Sequence, residues 1–299
     1  MIQDKLDTKK PTISFEIFPP KVGYPIQTIY DTIDSLKNLK PDFISVTYGA
    51  GGSTKDTTVE IASYITEKHN LSALAHLTCL TSSKEDVDVA LKSLKEKGVK
   101  NILALRGDYP EGSNCESFTN GDFKYAVDLI KYIKANSDFC VGAACYPEVH
   151  TEAPDYKTDL RNLKKKVDSG ADFLITQLFF DNEVFYDFKD KTELLGIDVP
   201  ILVGILPLLN KNQIQRIIRL TKCTLPNKFL RILNKYEHSP EALKQAGIAY
   251  ATEQIIDLLS AGVDGIHIYT MNKPDTVREI MKNISTIRGV LTDEQLSNL

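Results

Sequence analysis

The chain has 299 residues, 42% of them hydrophobic, which is enough for one large α/β domain or two smaller ones. Its 36 lysines and arginines against 40 acidic residues give a net charge of −4, which argues against a nucleic-acid binder. No apolar run approaches the about 20 residues of a membrane span. Residues 1–10 are polar where a signal peptide is apolar, so we expect a soluble, unexported, cytoplasmic protein.

Five cysteines are present, an odd number without any C-x-x-C pair: Cys79, Cys115, Cys140, Cys145 and Cys223. This pattern is not that of a disulfide framework. Cys79, Cys140 and Cys145 lie in or beside apolar runs, which predicts buried, reduced thiols. We expect no metal site.

Short β-branched or aromatic runs alternate with stretches of helical apolar spacing, the pattern of repeated βα units. Eight runs are predicted as strands, at residues 12–18, 43–47, 72–77, 101–105, 139–144, 173–178, 201–205 and 265–269. Because no linker divides the chain, we predict a single (β/α)8 TIM barrel over residues 1–299. A doubly wound open sheet is the alternative, but neither G-x-G-x-x-G nor a P-loop is present.

Two helix starts can be read from the sequence. Ser82-x-x-Glu85 resembles a capping box at the start of the helix after the third strand. Between strands seven and eight, the longest gap, Ser239-Pro240 indicates an N-cap followed by proline in the first turn. We therefore predict an extra helix between strands seven and eight.

TIM-barrel enzymes carry their chemistry at the C-terminal ends of the strands. In the first strand, Glu16 stands between large apolar residues, and alternation places it on one face with Ser14. A carboxylic acid in such surroundings tends towards a raised pKa, which suits a proton donor. The alternative is a structural Glu16 paired with a barrel arginine or lysine.

Other strand ends offer His76, Arg106 and Asp108, and alternation in strand eight places His267 on one face with Tyr269. The structural alternative for His76 is a core histidine with its hydrogen bonds satisfied. The alternative for Arg106 and Asp108 is a turn that contains an ion pair. The glycine-rich loop at residues 49–54 can approach a ligand closely. No strand lysine, metal-spaced histidine cluster or activated nucleophile is evident, which favours a site that holds a cofactor.

Six segments together resemble the 5,10-methylenetetrahydrofolate reductase family. They are SFEIFPPK at 14–21, VTYGAGGS at 46–53, NILALRGD at 101–108, YPEVH at 146–150, ITQ at 175–177 and GILP at 204–207. The resemblance runs in order along nearly the whole chain. It implies non-covalently bound FAD, reduced by NADH or NADPH, which in turn reduces 5,10-methylenetetrahydrofolate to 5-methyltetrahydrofolate for methionine synthesis.

The resemblance also implies roles for individual residues. Glu16 would be the general acid that opens the folate ring to an iminium, Asp108 would tune the flavin and stabilise the cation, and Gln177 would bond the pterin. The flavin contacts would come from Thr47, His76, Arg106, Gly107, Asp108, Ala144, Tyr146, His150, Asp159 and Lys166. Lys166 belongs to a lysine run that otherwise reads as a solvated helix face. The folate contacts would be completed by Gln213, Tyr269 and Lys273.

The chain departs from the family at two positions, with Ile217 where bacterial relatives often have an aromatic residue and Lys273 in place of an arginine. Folate affinity and polyglutamate preference are therefore open. The chain stops at Leu299, so the regulatory domain of eukaryotic members, and inhibition by S-adenosylmethionine, are expected to be absent. A homo-oligomer is expected, a partner redox subunit is possible, and the choice of nicotinamide is open.

Two other functions fit the same residues. A flavin-free barrel lyase or isomerase could use Glu16 and Asp108 as an acid/base pair. A folate- or flavin-binding subunit could act only within a larger redox complex. The presence of a buried acid favours a reductase over a binding subunit, since binding alone does not require Glu16.

Overall fold

Eight short runs of mostly buried residues form the strands of the computed structural model, which describes residues 1–8, 10–21, 23–48, 55–108 and 121–292. The strands are β1 Thr12–Ile17, β2 Phe43–Val46, β3 Ser72–Thr78, β4 Asn101–Leu105, β5 Cys140–Cys145, β6 Phe173–Thr176, β7 Ile201–Ile205 and β8 Gly265–Tyr269. Each pairs in parallel with the next, and β1 pairs with β8, so the barrel is closed. The TIM-barrel prediction is confirmed, and the open-sheet alternative is wrong.

The helices surround this barrel. They are α1 Gln3–Leu6, α2 Gln27–Lys37, α3 Lys55–His69, α4 Lys84–Glu96, α5 Ala126–Asn136, α6 Tyr156–Asp168, α7 Asn182–Leu194, α8 Lys211–Thr221, α9 Asn227–Tyr236, α10 Pro240–Ser260, α11 Pro274–Asn283 and α12 Ser285–Thr292. None in the described ranges is both long and apolar enough to cross a bilayer. A single domain over residues 1–299 stays a prediction.

The predicted capping box is wrong by one residue. Ser83 is the N-cap of α4: its hydroxyl accepts from the Asp86 N–H at 3.1 Å, and the Asp86 carboxylate accepts from the Ser83 N–H at 3.0 Å. Ser82 is instead buried, and its hydroxyl donates to the Thr78 carbonyl. The S-x-x-acid pattern occurs in both registers, and burial of Ser82 selects the second.

The connection between β7 and β8 holds three helices, α8, α9 and α10. As predicted, a helix begins at Pro240, although the Ser239 side chain makes no capping bond. The prediction missed α9, whose one fully buried residue, Phe229, packs with α8 residues in a small apolar cluster. Its apolar residues Phe229, Leu230, Ile232 and Leu233 recur at helical spacing, so the sequence does carry the signal of this helix.

Two apolar layers support the C-terminal end of the barrel. The larger lies between strands and helices, and the smaller fills the barrel interior with residues such as Phe43, Leu103 and Phe173. Ile2 belongs to the interior cluster, and its N–H donates to the Asn101 side chain at the start of β4. Side chains therefore fill the barrel interior at the N-terminal ends of the strands, and the C-terminal ends are left for a site.

Candidate functional site

A cavity of about 1410 Å³ lies at the C-terminal ends of the strands. It exceeds the roughly 300–1,000 Å³ of common small-molecule pockets, so it can hold a large ligand with a second beside it. Its lining includes most of the predicted site residues: Glu16, Thr47, His76, Arg106, Gly107, Asp108, Ala144, Tyr146, His150, Gln177, Gln213 and Tyr269. Asp159, Lys166 and Lys273 are not in the lining.

Glu16 lies in this lining, and only 6% of its surface is exposed. Its Oε2 atom is 3.3 Å from His267 Nε2 and 3.4 Å from His76 Nε2. Within the described ranges its ion-pair partners are these two imidazoles, so pairing with an arginine or lysine is not what holds it. A buried carboxylate without a permanent cation beside it is a group that can exchange a proton.

Both histidines are held in place from the barrel interior. The Ser14 hydroxyl lies 2.8 Å from His267 Nδ1, and the Ser45 hydroxyl lies 2.6 Å from His76 Nε2. Strand register explains the first contact, because Ser14 and His267 are paired residues of β1 and β8. Burial lowers the pKa of His76 to about 4, which keeps its imidazole neutral. Sequence reasoning assigned no role to Ser45 or His267; strand alternation was their only signal.

Tyr269 closes the adjoining part of the wall. Its hydroxyl donates to the Thr176 carbonyl at 2.7 Å, and burial raises its pKa well above the ordinary value. A Cβ at Gly204 would overlap both Thr176 O and the Tyr269 ring. Glycine at position 204 is thus required for this ring position.

At the end of β4, Arg106 is paired with Glu152 rather than with Asp108. Both guanidinium Nη atoms bond the Glu152 carboxylate, with Nη2 to Oε1 at 2.7 Å, and Nε donates to the Gly107 carbonyl at 3.1 Å. The guanidinium lowers the pKa of Glu152. Gly107 has φ of +90°, and an added Cβ would stand 3.1 Å from Thr78. Asp108 is exposed in the cavity lining.

Asp159 and Lys166 on α6 stand behind the end of β5 and the segment that follows it. Asp159 accepts from the His150 N–H at 2.9 Å, and Lys166 Nζ donates to the Ala144 carbonyl at 2.8 Å. Lys166 also lies 5.8 Å from the centre of the Tyr146 ring. Burial lowers the pKa of both His150 and Lys166. The solvated-face interpretation of Lys166 is therefore wrong; the two preceding lysines instead bond side chains of α6 itself.

The side-chain amides of Gln177 and Gln213 differ in how many hydrogen bonds they already make within the protein. The Oε1 atom of Gln177 accepts from the N–H of Leu178 at 2.9 Å. Gln213, by contrast, accepts from Leu209 N and donates to Pro207 O, so much of its capacity is used to shape the loop before α8. Ile217, one turn further along α8, adds apolar surface to the lining.

Lys273 is exposed at the N-cap of α11 and is not in the lining, although the preceding Met271 and Asn272 are, so its contact with folate stays a prediction. Its N–H donates to the Thr270 carbonyl, which fixes the turn after β8. Lys21 and Arg216 supply cationic side chains to the lining instead. Asn272, also missed, both accepts from and donates to the Phe18 backbone at 2.9 Å.

Two buried hydroxyls in the lining lack partners among the described residues: Thr47 Oγ1 and the Tyr48 hydroxyl. Burial raises the pKa of Tyr48 to about 12. Unbonded buried hydroxyls are rare in native proteins, and a polar ligand in the cavity would satisfy them. The predicted glycine-rich loop at 49–54 lies outside the described residues, as does Cys115.

Four of the five cysteines lie within the described residues. Cys79, Cys140, Cys145 and Cys223 are free and buried, as expected for reduced thiols. Burial raises the pKa of each of them. Within the ranges that the structure covers, no group of three or more histidine, cysteine or acidic side chains is placed to hold a metal ion.

A family model described as methylenetetrahydrofolate reductase matches residues 1–285. The chain belongs to the methylenetetrahydrofolate reductase family. It is 39% identical to the 5,10-methylenetetrahydrofolate reductase of Pectobacterium carotovorum, covering 88% of this chain and 86% of that one. The Escherichia coli reductase is 38% identical over 93% and 92% of the two chains. Methylenetetrahydrofolate reductase (NADH) 1 of Arabidopsis thaliana is 36% identical, but the match spans only 48% of its length.

Solved structures show how little the fold alone decides. A Clostridium thermocellum protein described as binding two copies of 5-methyl-5,6,7,8-tetrahydrofolic acid aligns over 97% of this chain and 99% of its own, with TM-score 0.70 at 13% identity. A 2,3-dimethylmalate lyase also aligns, with TM-score 0.54 at 12% identity. One barrel thus hosts different chemistries, and the family match, not the fold, favours reductase over lyase.

Proposed function

We propose that this protein reduces 5,10-methylenetetrahydrofolate to 5-methyltetrahydrofolate, with FAD bound in the cavity and a reduced nicotinamide as the electron donor. One observation carries the proposal most strongly. Glu16 is a buried acid in the lining of a large cavity, and among the residues that the structure describes its ion-pair partners are two imidazoles rather than a lysine or arginine. Family membership and the NADH named for the Arabidopsis relative support the substrate and the donor.

The lining fits a flavin dinucleotide. Thr47 offers a hydroxyl that no described residue bonds, Arg106 a guanidinium, and Tyr146 and His150 a pair of rings 4.6 Å apart. Gly107 and Ala144 would bring backbone close to the ligand, and Asp159 and Lys166 hold the backbone of His150 and Ala144 from behind. A flavin held by these residues would supply the hydride-transfer chemistry that links NADH or NADPH to the folate.

Glu16 would supply the proton. Transfer of its carboxyl proton to N10 of the folate breaks the bond between N10 and the methylene carbon, which leaves an iminium on N5. That carbon is then the hydride acceptor. His76 and His267 fix the carboxyl orientation, and the neutral state of His76 avoids a fixed positive charge beside the acid.

Asp108 and Gln177 would complete the substrate side. The Asp108 carboxylate can stabilise the cationic iminium through space, and the Gln177 amide offers a donor and an acceptor to the pterin edge. Tyr269, Gln213 and the apolar Ile217 would face the rest of the folate. Four further points stay predictions: a cytoplasmic location, a homo-oligomer, a partner subunit and a link to methionine synthesis.

The visible spectrum of the purified protein with FAD, recorded without oxygen, tests this proposal. Added 5-methyltetrahydrofolate should bleach the flavin bands by driving the second half-reaction in reverse. NADH or NADPH should bleach them independently. Bound flavin that neither reagent bleaches would refute the reductase, and absence of flavin binding would return the flavin-free lyase to first place.

A further inference from the structure

Glu148 is the residue of the YPEVH segment that has no role so far. It follows β5, is half-buried and does not line the cavity. Its Oε2 atom accepts a hydrogen bond from the backbone N–H of Thr224 at 2.8 Å. Thr224 belongs to the connection between α8 and α9, so one carboxylate joins two separate walls of the barrel mouth.

The backbone beside Glu148 is strained. Val149 has φ of +78°, which is a true outlier for a β-branched residue. Such a conformation is unfavourable and persists where neighbouring contacts hold it. Here it is tethered on both sides, by the Glu148 bond to Thr224 and by the His150 N–H bond to Asp159 at 2.9 Å.

The other end of the bond is equally defined. After α8 the chain turns at Lys222, which has φ of +55° and donates its N–H to the Ile218 carbonyl. Cys223 is buried in the apolar cluster beneath α8, together with Ile214 and Ile217. The Thr224 amide is therefore rigidly connected to the C-terminal end of α8.

One face of α8 lines the cavity, through Gln213, Arg216, Ile217, Leu220 and Thr221. These positions recur at helical spacing over about 12 Å of helix. A shift at the end of α8 would thus move the whole face relative to Glu16 and Gln177.

We propose that Glu148 is a positioning residue: by bonding the Thr224 amide it sets the distance between the β5 wall, which would hold flavin, and the α8 wall, which would hold folate. The inference rests on the proposed function of these walls. Because Glu148 does not line the cavity, it would touch neither ligand, and its removal should weaken folate binding while flavin binding is kept.

Glu148→Ala and Glu148→Gln test it, the second because its amide oxygen can still accept the Thr224 N–H. We expect the dissociation constant of 5-methyltetrahydrofolate, followed by flavin bleaching, to rise about three- to tenfold in the alanine variant. The FAD dissociation constant and the flavin spectrum should not change. The glutamine variant should recover most of the folate affinity. In turnover, the alanine variant should show a raised folate KM with little change in kcat.

Glu237→Ala is the matched control, since Glu237 bonds Lys211 at the start of α8 on the exposed side. It should leave folate affinity at the wild-type value. If the wild-type protein binds folate and Glu148→Ala binds it with the same affinity, the inference is overturned. Loss of FAD affinity and folate affinity by equal factors in Glu148→Ala would also overturn it. A wild-type protein that binds FAD but not the folate would instead refute the proposed function on which the inference rests.

Discussion

Strand residues build one side of the cavity, whereas residues after the strands build the other. On the acid side, Glu16, His76 and His267 are buried side chains of β1, β3 and β8, and serines of neighbouring strands hold the histidines. On the loop side, Arg106, Asp108 and His150 follow β4 and β5 and are more exposed.

The two sides also differ in what fixes them. Closure of the barrel fixes the acid side, because its contacts join strands that the barrel brings together: Ser14 meets its register partner His267 across β1 and β8, and Ser45 of β2 contacts His76 of β3. Tethers fix the loop side: the Glu152 carboxylate on Arg106, the Asp159 carboxylate on His150 N and Lys166 on Ala144 O. The difference suits a rigid position for proton transfer and an adaptable one for a large cofactor.

The largest effect should come from breaking the acid side alone. Glu16→Gln keeps the shape of the side chain but cannot donate a proton as an acid. We expect folate-dependent flavin oxidation to fall about 10²–10⁴-fold, while FAD binding and reduction by nicotinamide persist. Stopped-flow absorbance of the two half-reactions measures both. Wild-type folate turnover in this variant would remove Glu16 from the mechanism.

The acid side should also be sensitive to pH through His76. Its folded pKa of about 4 lies below the ordinary 6.5, so between these values the unfolded chain binds a proton that the folded chain does not. The contribution of His76 to the free energy of unfolding is therefore fully present above about pH 6.5. It falls by roughly 3 kcal/mol as the pH drops to 4. Urea unfolding of wild type and His76→Gln at pH 7 and 4.5 checks this. An equal loss in both proteins would contradict it.

The acid side was also the easier one to predict from sequence. Parallel strands buried on both faces leave apolar runs, so all eight strands were located, and a lone carboxylate in such a run marks Glu16. The partners of Glu16 could not be predicted: a TIM barrel places β8 beside β1, but the apolar pattern does not give the register that sets His267 opposite Ser14 and close to Glu16.

On the loop side, local pattern was misleading. Lys166 belongs to a run of three lysines, and only the rotation of α6 shows which of them points inwards. Arg216 and Lys21 rather than Lys273 line the cavity for a similar reason, because loop path and not residue type decides which cation faces it. Which side chains of the loop side face inwards depends on long-range packing, and a local sequence repeat does not indicate it.

A smaller effect should follow from loosening the loop side. Lys166→Met removes the bond to the Ala144 carbonyl while keeping an apolar stem of similar length. We expect the FAD dissociation constant to rise about tenfold, with folate chemistry retained at saturating FAD. Lys165→Met, one residue away and exposed, should not change it. Equal affinity in the two variants would show that Lys166 does not support the flavin wall.

The smallest effect should come from Thr47, whose buried hydroxyl lacks a partner among the described residues. Thr47→Val should raise the free energy of unfolding of the flavin-free protein by about 1 kcal/mol, because an unbonded hydroxyl no longer has to be buried. The same change should raise the FAD dissociation constant about threefold, because the ligand loses that hydroxyl. Urea unfolding and flavin titration measure the two opposite effects.

Thr58→Val supplies the comparison for this prediction. The Thr58 hydroxyl is buried but donates to the Thr47 carbonyl at 3.1 Å, so its loss leaves a carbonyl short of a donor. This variant should therefore be destabilised by about 1 kcal/mol, with or without flavin. The two threonines differ in whether the protein itself bonds the hydroxyl. If both substitutions destabilise the flavin-free protein equally, Thr47 already has a partner, and its hydroxyl is not held ready for a ligand.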